Sequence, residues 1–227
     1  MKILIINPNS DSEMTAQIQE TAVAFAAGAY EVECRRNPDA TEFIETYQDQ
    51  VRTAPGMMAL VRENEDSCDA FIVACHCDPN LDVLREITDK PVIGIGQASM
   101  QMAAMLGHRF SVVSTADHSI PNKEALVRKY HLAGQLASVR APSPGMENAP
   151  DEEKYLDAAR RAISEDSAEV IVLGCAGMTG LDKRLQEQLG APVLDGVICA
   201  LILTSGLLFC GRPYILGTME SSCKQST

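Results

Sequence analysis

Two cysteines occupy matching points of the sequence and are the residues best suited to chemistry. Cys75 follows the apolar run 70–74, and Cys175 follows the apolar run 170–174. Each run predicts a buried strand, which is followed by a turn and then by a helical stretch. A thiol beside the free backbone N–H groups of a helix start has a lowered pKa, because those dipoles stabilise the thiolate. The two positions therefore predict a pair of thiols with acid/base character.

The segments that carry the two cysteines belong to a longer internal repeat. Three landmarks recur in the same order at offsets of 100, 101 and 107 residues: segment 66–75 as 166–175, Pro91-Val92 as Pro192-Val193, and the strand that ends at Asn7 as the one that ends at Ser114. This order indicates duplication of an α/β unit of roughly 100 residues. Two similar lobes usually face each other and bind a ligand between them.

Short apolar runs alternate with amphipathic stretches along the chain. Strands are predicted at 3–6, 70–74, 91–95, 110–113, 170–173 and 192–194, a helix along Met14, Ile18, Ala22 and Phe25, a buried helix at 197–209, and a loop at 141–151. Strands that are apolar throughout are typical of parallel sheets covered on both faces. The pattern predicts an α/β fold of two similar lobes with parallel sheets, related by a pseudo-two-fold duplication.

The duplication would place one thiol from each lobe on opposite walls of a single cleft. Ligands gather at the carboxyl ends of the strands in such sheets. One group that removes a proton from carbon and another that delivers a proton to the opposite face would racemise a stereocentre without a cofactor. Packing at the two strand ends is the competing interpretation, since free cysteine is among the most buried residue types.

Composition and charge exclude several other functions. Hydrophobic residues make up 46% of the 227 residues, which indicates a folded chain with a proper core. The net charge of −12 argues against nucleic acid as a partner. The amino terminus lacks a signal-peptide core and residues 197–209 are too few to span a membrane, so neither secretion nor a membrane partner is expected. Eight cysteines in such a chain predict reduced thiols in the cytoplasm.

Neither a cofactor nor a metal is expected from the sequence. The phosphate-binding patterns GxGxxG and the P-loop do not occur in it. All four residues of Cys75-His76-Cys77-Asp78 can ligate a metal, but adjacent residues point in opposite directions and no partner cluster lies elsewhere. We therefore expect a small molecule as the only ligand, with a homo-oligomer left possible by the apolar carboxy-terminal helix.

Other residues that follow predicted strands are candidates for substrate binding, and the polar ones among them also for helix capping. They lie in four loops: Asn7, Asn9 and Ser10 after the first strand, Ser114 and Thr115 at the matching point of the second lobe, Ala176, Gly177 and Met178 after Cys175, and Asp195 after the last strand.

Several motifs resemble the hydantoin racemase family, which includes allantoin racemases and belongs to the aspartate/glutamate racemase superfamily. They are Ile-Ile-Asn-Pro-Asn-Ser at 5–10, Ala-Cys-His-Cys-Asp-Pro-Asn-Leu at 74–81, Gly-His-Arg-Phe-Ser-Val-Val at 107–113, Val-Leu-Gly-Cys-Ala-Gly-Met at 172–178 and Pro-Val-Leu-Asp-Gly-Val at 192–197. The resemblance implies two flavodoxin-like lobes, formed by residues 1–97 plus 198–227 and by residues 98–197. It implies that Cys75 and Cys175 are the acid/base pair of a racemase acting on 5-substituted hydantoins or a related ureide such as allantoin.

The sequence departs from the family pattern near the expected pocket. His76 and Cys77 stand where an aromatic residue and Gly are usual, Asn80 where Gly is usual, and Gly96-Gln97 where Ala-Glu is common. His76, Cys77 and Gln97 are therefore candidates for contacts with a different substrate.

Three other functions stay open at this stage. Free amino-acid racemases of the superfamily carry an acid and a hydroxyl after the first strand, where this chain has Asn7, so a neutral ring is favoured. Maleate isomerisation also uses two cysteines and stays open. Malonate decarboxylation needs only one protonating thiol, so two matched cysteines count against it. A two-lobed binding protein without catalytic activity is the alternative of a different class.

Overall fold

The computed structural model describes residues 1–210, which form two halves with the same succession of elements. The first half holds strands β1 (Lys2–Asn7), β2 (Glu31–Arg36), β3 (Ala70–Val73) and β4 (Val92–Gly94), and helices α1 (Ser12–Ala26), α2 (Tyr47–Asn64), α3 (Leu81–Glu86) and α4 (Ile95–Leu106). The second half holds strands β5 (Phe110–Val113), β6 (Leu136–Arg140), β7 (Val170–Leu173) and β8 (Val193–Leu194), and helices α5 (Ile120–Lys129), α6 (Asp151–Asp166), α7 (Asp182–Leu189) and α8 (Gly196–Phe209). Short 3₁₀ turns lie at Asp117–Ser119 and Ala176–Met178.

The two sheets have the same topology. The first has the order β2-β1-β3-β4 and the second β6-β5-β7-β8, so adding four to each strand number converts one into the other. Every strand pair is parallel. The predicted α/β fold with two similar lobes is confirmed. We call the β1–β4 sheet with its helices the first lobe, and the β5–β8 sheet with its helices the second.

The six predicted strands are present, but β2 and β6 were missed. Each lies at the edge of its sheet. In β2 only Val32 is buried, and in β6 only Val139. Edge strands of this kind carry polar residues between the few that pack, so they lack the continuous apolar run that identifies the central strands.

Residues of the central strands point alternately to two buried faces. In β1, Ile3 and Ile5 pack in one core cluster, whereas Leu4 and Ile6 pack in another on the opposite face of the sheet. In β7, Ile171 and Val172 divide in the same way. Because successive side chains of a strand point to opposite faces, a sheet with helices on both sides needs apolar residues at every position.

Helices α4 and α8 join the two lobes. Residues of α4 enter the core of both, with Ala98 in a first-lobe cluster and Met100 in a second-lobe cluster. Helix α8 follows the second sheet but packs on the first lobe, against α1, α4, β3 and β4. The exact lobe boundaries at residues 97/98 and 197/198 stay a prediction. Residues 211–227 of the predicted first lobe lie outside the described residues.

Candidate active site

The two strand ends that carry Cys75 and Cys175 have the same backbone geometry. The N–H of Ala74 donates to the carbonyl of Ile6, and that of Gly174 donates to the carbonyl of Val113, both at 2.8 Å. After each cysteine the chain turns back at once. The carbonyl of Cys75 accepts from Asp78 N at 2.9 Å, and that of Cys175 accepts from Met178 N at 3.1 Å. Each strand therefore presents its cysteine at the carboxyl edge of its sheet.

The two cysteines line one cavity between the lobes, with a volume of about 540 Å³. The first lobe contributes the loop after β1, the start of α1 and the loop that precedes α2. The second lobe contributes Thr115 and Ala116, the start of α6 and the turn after Cys175. The lining side chains are Asn9, Asp11, Glu13, Met14, Gln17, Phe43, Ile44, Glu45, His118, Asp151 and Tyr155. The lining of the cavity is therefore partly apolar and partly formed by carboxylates.

A second, smaller cavity of about 90 Å³ adjoins the same two thiols. His76 and Cys77 line it from the first lobe, and Thr115, Asn122 and Lys123 line it from the second. Of the residues that contact both cavities, Cys75, Cys175 and Thr115 were candidates from the sequence.

Cys75 has a neighbouring thiol. Its Sγ lies 3.2 Å from the Sγ of Cys77, within hydrogen-bond distance for sulfur. This contact and the backbone N–H of Cys77 outweigh the effect of burial, and they lower the pKa of Cys75. The same contact acts in the opposite direction on the partner, so the pKa of Cys77 is raised well above its ordinary value.

Within residues 1–210 Cys175 has no such partner, and burial raises its pKa. Two features offset part of this effect. One is the ammonium of Lys123 and the other is the backbone N–H of Gly177. Lys123 is itself buried and donates to the carbonyl of Gly174 at 2.6 Å, which holds its charge at the base of the site.

His76 is almost fully buried beside these groups, at 2% exposure. Neither of its ring nitrogens has a hydrogen-bond partner within the described residues. Burial, together with the charge of Lys123, lowers the pKa of His76 well below its ordinary value, so the imidazole is neutral. A neutral imidazole offers one donor and one acceptor to a molecule in the small cavity.

Asp78 anchors the turn that carries the two neighbouring thiols. Its carboxylate accepts from the backbone N–H of Gly96 at 2.9 Å and of Gln97 at 2.7 Å, and from the Tyr130 hydroxyl at 2.6 Å. These bonds cap α4, whose preceding residue, Gly94, has no side chain to do so. Burial raises the pKa of Asp78 to about 6.

Six residues predicted for substrate binding do not line either cavity. Asn7 is buried and donates to Thr15, Ser10 lies in the loop beside Thr41, and Ser114 bonds to Ser119. Met178 is fully buried in the second-lobe core, Asp195 caps α8 through Val197 N at 2.8 Å, and Gln97 accepts from Arg85 at 2.7 Å. The side chains of Asn7, Ser114, Asp195 and Gln97 thus bond to groups of the protein itself. The candidates that do line a cavity are Asn9, Cys75, Cys175, His76, Cys77, Thr115, Ala176 and Gly177.

Sequence reasoning missed several cavity residues. Phe43, Ile44 and Glu45 lie in the loop after β2, an edge strand that was itself not predicted. Lys123 lies on an amphipathic helix, where a lysine ordinarily faces solvent. His118 lines both cavities and lies 3.4 Å from Glu45 of the other lobe, with its side chain still largely exposed. No local signal in the sequence distinguishes these residues.

Comparison with known proteins decides the family. The family model described as Asp/Glu/Hydantoin racemase matches residues 3–204. The chain belongs to this family. It is 41% identical to a hydantoin racemase of Rhizobium meliloti over 217 residues, which cover 93% of this chain and 90% of the relative. The resemblance inferred from the motifs is confirmed.

Solved structures of this racemase family agree with the fold. An allantoin racemase from Klebsiella pneumoniae superposes with a TM-score of 0.88 at 33% identity, over 94% of this chain and 90% of that one. An allantoin racemase from Pseudomonas fluorescens gives the same TM-score and identity, over 94% and 93% of the two chains.

Two further findings concern residues 1–210 alone. Within residues 1–210, no group of three or more His, Cys, Asp and Glu side chains is arranged to hold a metal ion. Across the same range, no helix is both long enough and apolar enough to cross a membrane.

Proposed function

We propose that the protein is a cofactor-independent racemase of 5-substituted hydantoins or of a related ureide such as allantoin. The observation that carries the proposal is the pair of thiols, Cys75 and Cys175, which reach one cavity from equivalent strand ends of two duplicated lobes. Membership of the racemase family supports it, as do the hydantoin and allantoin racemases among the relatives.

The reaction is a proton exchange at the carbon next to a ring carbonyl. One cysteine, as thiolate, takes the hydrogen from this carbon as a proton, and the C–H electron pair moves into an enolate. The other cysteine, as thiol, gives its proton to the opposite face of the same carbon. The two thiols exchange protonation states in each turnover, so one must be thiolate and the other thiol at the start.

The surroundings of the thiols suit such an intermediate. Lys123 places a buried positive charge beside both thiols. Backbone N–H groups in the turns after Cys75 and Cys175 add fixed dipoles. Groups of this kind stabilise developing negative charge strongly when water is excluded.

The charge around the larger cavity favours a neutral ring over an acidic substrate. Asp11, Glu13, Glu45 and Asp151 all contribute to its lining. A dicarboxylate such as aspartate, glutamate or maleate would be repelled by these groups, because like charges in a confined site disfavour binding. A hydantoin or ureide instead offers N–H donors to them. This is the argument against the amino-acid racemase and maleate isomerase alternatives.

A reducing compartment such as the cytoplasm suits this chemistry, since it keeps both thiols reduced. The seven cysteines of residues 1–210 are all free thiols in the structure, in line with that setting.

The test follows the hydrogen on the stereocentre. Single enantiomers of 5-benzylhydantoin and of allantoin are incubated in D₂O, with circular dichroism reporting racemisation and proton NMR reporting deuterium uptake. Cys75→Ser and Cys175→Ser should each abolish racemisation. Cys210→Ser, which changes an exposed thiol at the end of α8, is the matched control and should react as the wild type does.

The single variants also show which thiol faces which enantiomer. A variant with one thiol left should still exchange the hydrogen of the enantiomer that faces it, without inverting the centre. Racemisation that survives loss of either thiol would refute the mechanism. If the wild type is inert toward these rings, aspartate, glutamate and maleate are assayed next, and inertness toward all of them would favour a binding protein.

A further inference from the structure

The two strand ends differ at one position that the duplication makes directly comparable. Cys77 follows Cys75 by two residues, and Gly177 follows Cys175 by two. The Sγ of Cys77 lies 3.2 Å from the Sγ of Cys75, so one sulfur donates its S–H to the other. Gly177 has no side chain, so the turn after Cys175 supplies no such contact to that thiol. The two catalytic candidates therefore have unequal surroundings in an otherwise repeated geometry.

We propose that Cys77 is a positioning residue that holds Cys75 as the thiolate in the resting protein and so leaves Cys175 as the protonated thiol. The assignment of acid and base rests on the proposed racemase function, whereas the state of the Cys75 thiol does not. Cys77 takes no part in proton transfer with the substrate. It acts through the hydrogen bond that it donates to Cys75.

The direction of this hydrogen bond follows from charge. An S–H group that donates to a thiolate forms a charge-assisted bond, which is stronger than a bond between two neutral thiols. Both sulfurs cannot be ionised together, because two anions at this separation in a buried site repel each other. The sulfur that also receives a backbone N–H is Cys75, which makes it the favoured anion.

Other charged or titratable groups face the Cys75–Cys77 pair. None of them explains as directly why the surroundings of Cys75 and Cys175 differ. They are Lys123 from α5, Cys175 from the second strand end, Asp78 from the turn of the pair itself, His76 beside it, and Glu45 and His118 across the small cavity. Lys123 favours the thiolate at both catalytic candidates. Asp78 opposes it at Cys75 as Asp151 opposes it at Cys175. Cys77 acts in favour of the thiolate at Cys75 alone.

The consequence for catalysis appears in the dependence of kcat/KM on pH. A racemisation has an equilibrium constant of one, so kcat/KM is equal in both directions and cannot itself reveal the resting state. Its acidic limb reports the first thiol to lose a proton. If Cys77 assists that loss, its removal moves the acidic limb upward, by on the order of one pH unit for a charge-assisted hydrogen bond.

The first experiment measures the thiol itself and needs no substrate. Cys175→Ser and the double variant Cys175→Ser with Cys77→Gly are alkylated with iodoacetamide across a pH range, in a phosphine reductant that keeps disulfides from forming. Peptide mass spectrometry then gives the rate at Cys75. We expect the midpoint of this rate to rise by about one pH unit without Cys77. Cys77→Ser, which supplies a hydroxyl donor in place of the thiol, should bring the midpoint most of the way back to its value with Cys77 present.

The reciprocal variant tests the proposal at the other strand end. In Gly177→Cys the new Cβ would lie 3.3 Å from Met14 Cε and 3.7 Å from Cys175 Sγ, so the side chain fits with a small movement of a flexible methionine. In a Cys75→Ser background this change should lower the midpoint for alkylation of Cys175. The thermal melting of each variant shows that it is folded.

The outcomes separate this proposal from the proposed function. An unchanged or lowered Cys75 midpoint in the Cys77→Gly background overturns the role of Cys77, even if the wild type racemises hydantoins. A raised midpoint supports it, even if the wild type proves inert toward every substrate tested. In an active enzyme, the acidic limb of kcat/KM for Cys77→Gly should move in parallel with the alkylation midpoint, and a limb that stays in place contradicts the acid/base assignment.

Discussion

The ammonium of Lys123 donates to the carbonyl of Gly174 at 2.6 Å, and this bond fixes a buried charge at the residue that precedes Cys175. Lys123 lies on α5, whereas Gly174 directly follows β7. The charge favours the thiolate form of both cysteines. A residue on a helix of the second lobe thus influences the ionisation of both thiols.

Replacement of Lys123 by Met should reduce kcat/KM by about 10- to 100-fold, because a preorganised charge near the developing enolate is lost. The acidic limb of the pH profile should also move upward, since both thiols lose a group that favours their ionised forms. Hydantoin racemisation followed by circular dichroism measures both effects. Lys129→Met, at an exposed position of the same helix, is the control and should retain the wild-type rate. An equal loss in both variants would contradict the role of the buried charge.

The pH dependence of wild-type kcat/KM should be bell-shaped with a broad top. The hydrogen bond from Cys77 lowers the pKa of Cys75, whereas burial raises that of Cys175. Below the Cys75 pKa both thiols are neutral and no base is present. Above the Cys175 pKa both are thiolates and no acid is present. Steady-state rates across the pH range test this, and a profile with a single limb would show that only one thiol titrates in the reaction.

Asp78 should make a contribution to stability that grows as the pH falls. Burial raises its pKa to about 6, above the ordinary value of 3.8. Between these two values the folded chain binds a proton that the unfolded chain does not, so the free energy of unfolding rises on acidification and this gain is lost as the pH rises through 6. We expect the difference between wild type and Asp78→Asn to increase by about 1–2 kcal/mol from pH 7 to pH 4.5.

Denaturant unfolding of both proteins at the two pH values measures this difference directly. Other titrating groups are present in both proteins and cancel in the comparison. Asp82→Asn, which changes an exposed carboxylate on α3, serves as the control and should show a smaller change with pH. A wild-type advantage that shrinks on acidification would mean that the carboxylate of Asp78 is ionised throughout.

Gly174→Ala should damage both stability and activity. A Cβ at this position would lie 2.3 Å from the Val113 carbonyl and 3.2 Å from Lys123 Cε, so the strand end and the lysine must both move. Overpacking of this kind costs about 1–3 kcal/mol of unfolding free energy. The displaced lysine should lower kcat/KM further. The first lobe carries Ala74 at the equivalent point, so Ala74→Gly is a natural control with a milder effect.

Unfolding and kinetic measurements on the same preparations separate the two effects in Gly174→Ala. A loss of stability with unchanged kcat/KM of the folded fraction would show that Lys123 keeps its place. Normal stability would show that the Val113 carbonyl can retreat.

The sequence by itself determined the architecture and the position of the two thiols. Strands buried on both faces require apolar residues at every position, so the strands at 3–6, 70–73 and 170–173 can be recognised from the sequence alone. Duplication then places Cys75 and Cys175 at equivalent strand ends. Both inferences depend on periodicity and spacing, and these are local properties of the chain. The edge strands β2 and β6 were not predicted because each has only one buried residue, which leaves no continuous apolar run.

Only the tertiary structure decided which other side chains meet the thiols. Lys123, Glu45 and Tyr155 reach the cavities from separate elements, and the spacing along the chain does not record that convergence. The same applies to polar residues such as Asn7 and Asp195, because a side chain that follows a strand can turn to a ligand or to a backbone N–H. In this structure Asn7 donates to the hydroxyl of Thr15, and Asp195 accepts from the backbone N–H of Val197. Hydrophobic patterning specifies which faces are buried, and the packing of distant elements specifies what those faces enclose.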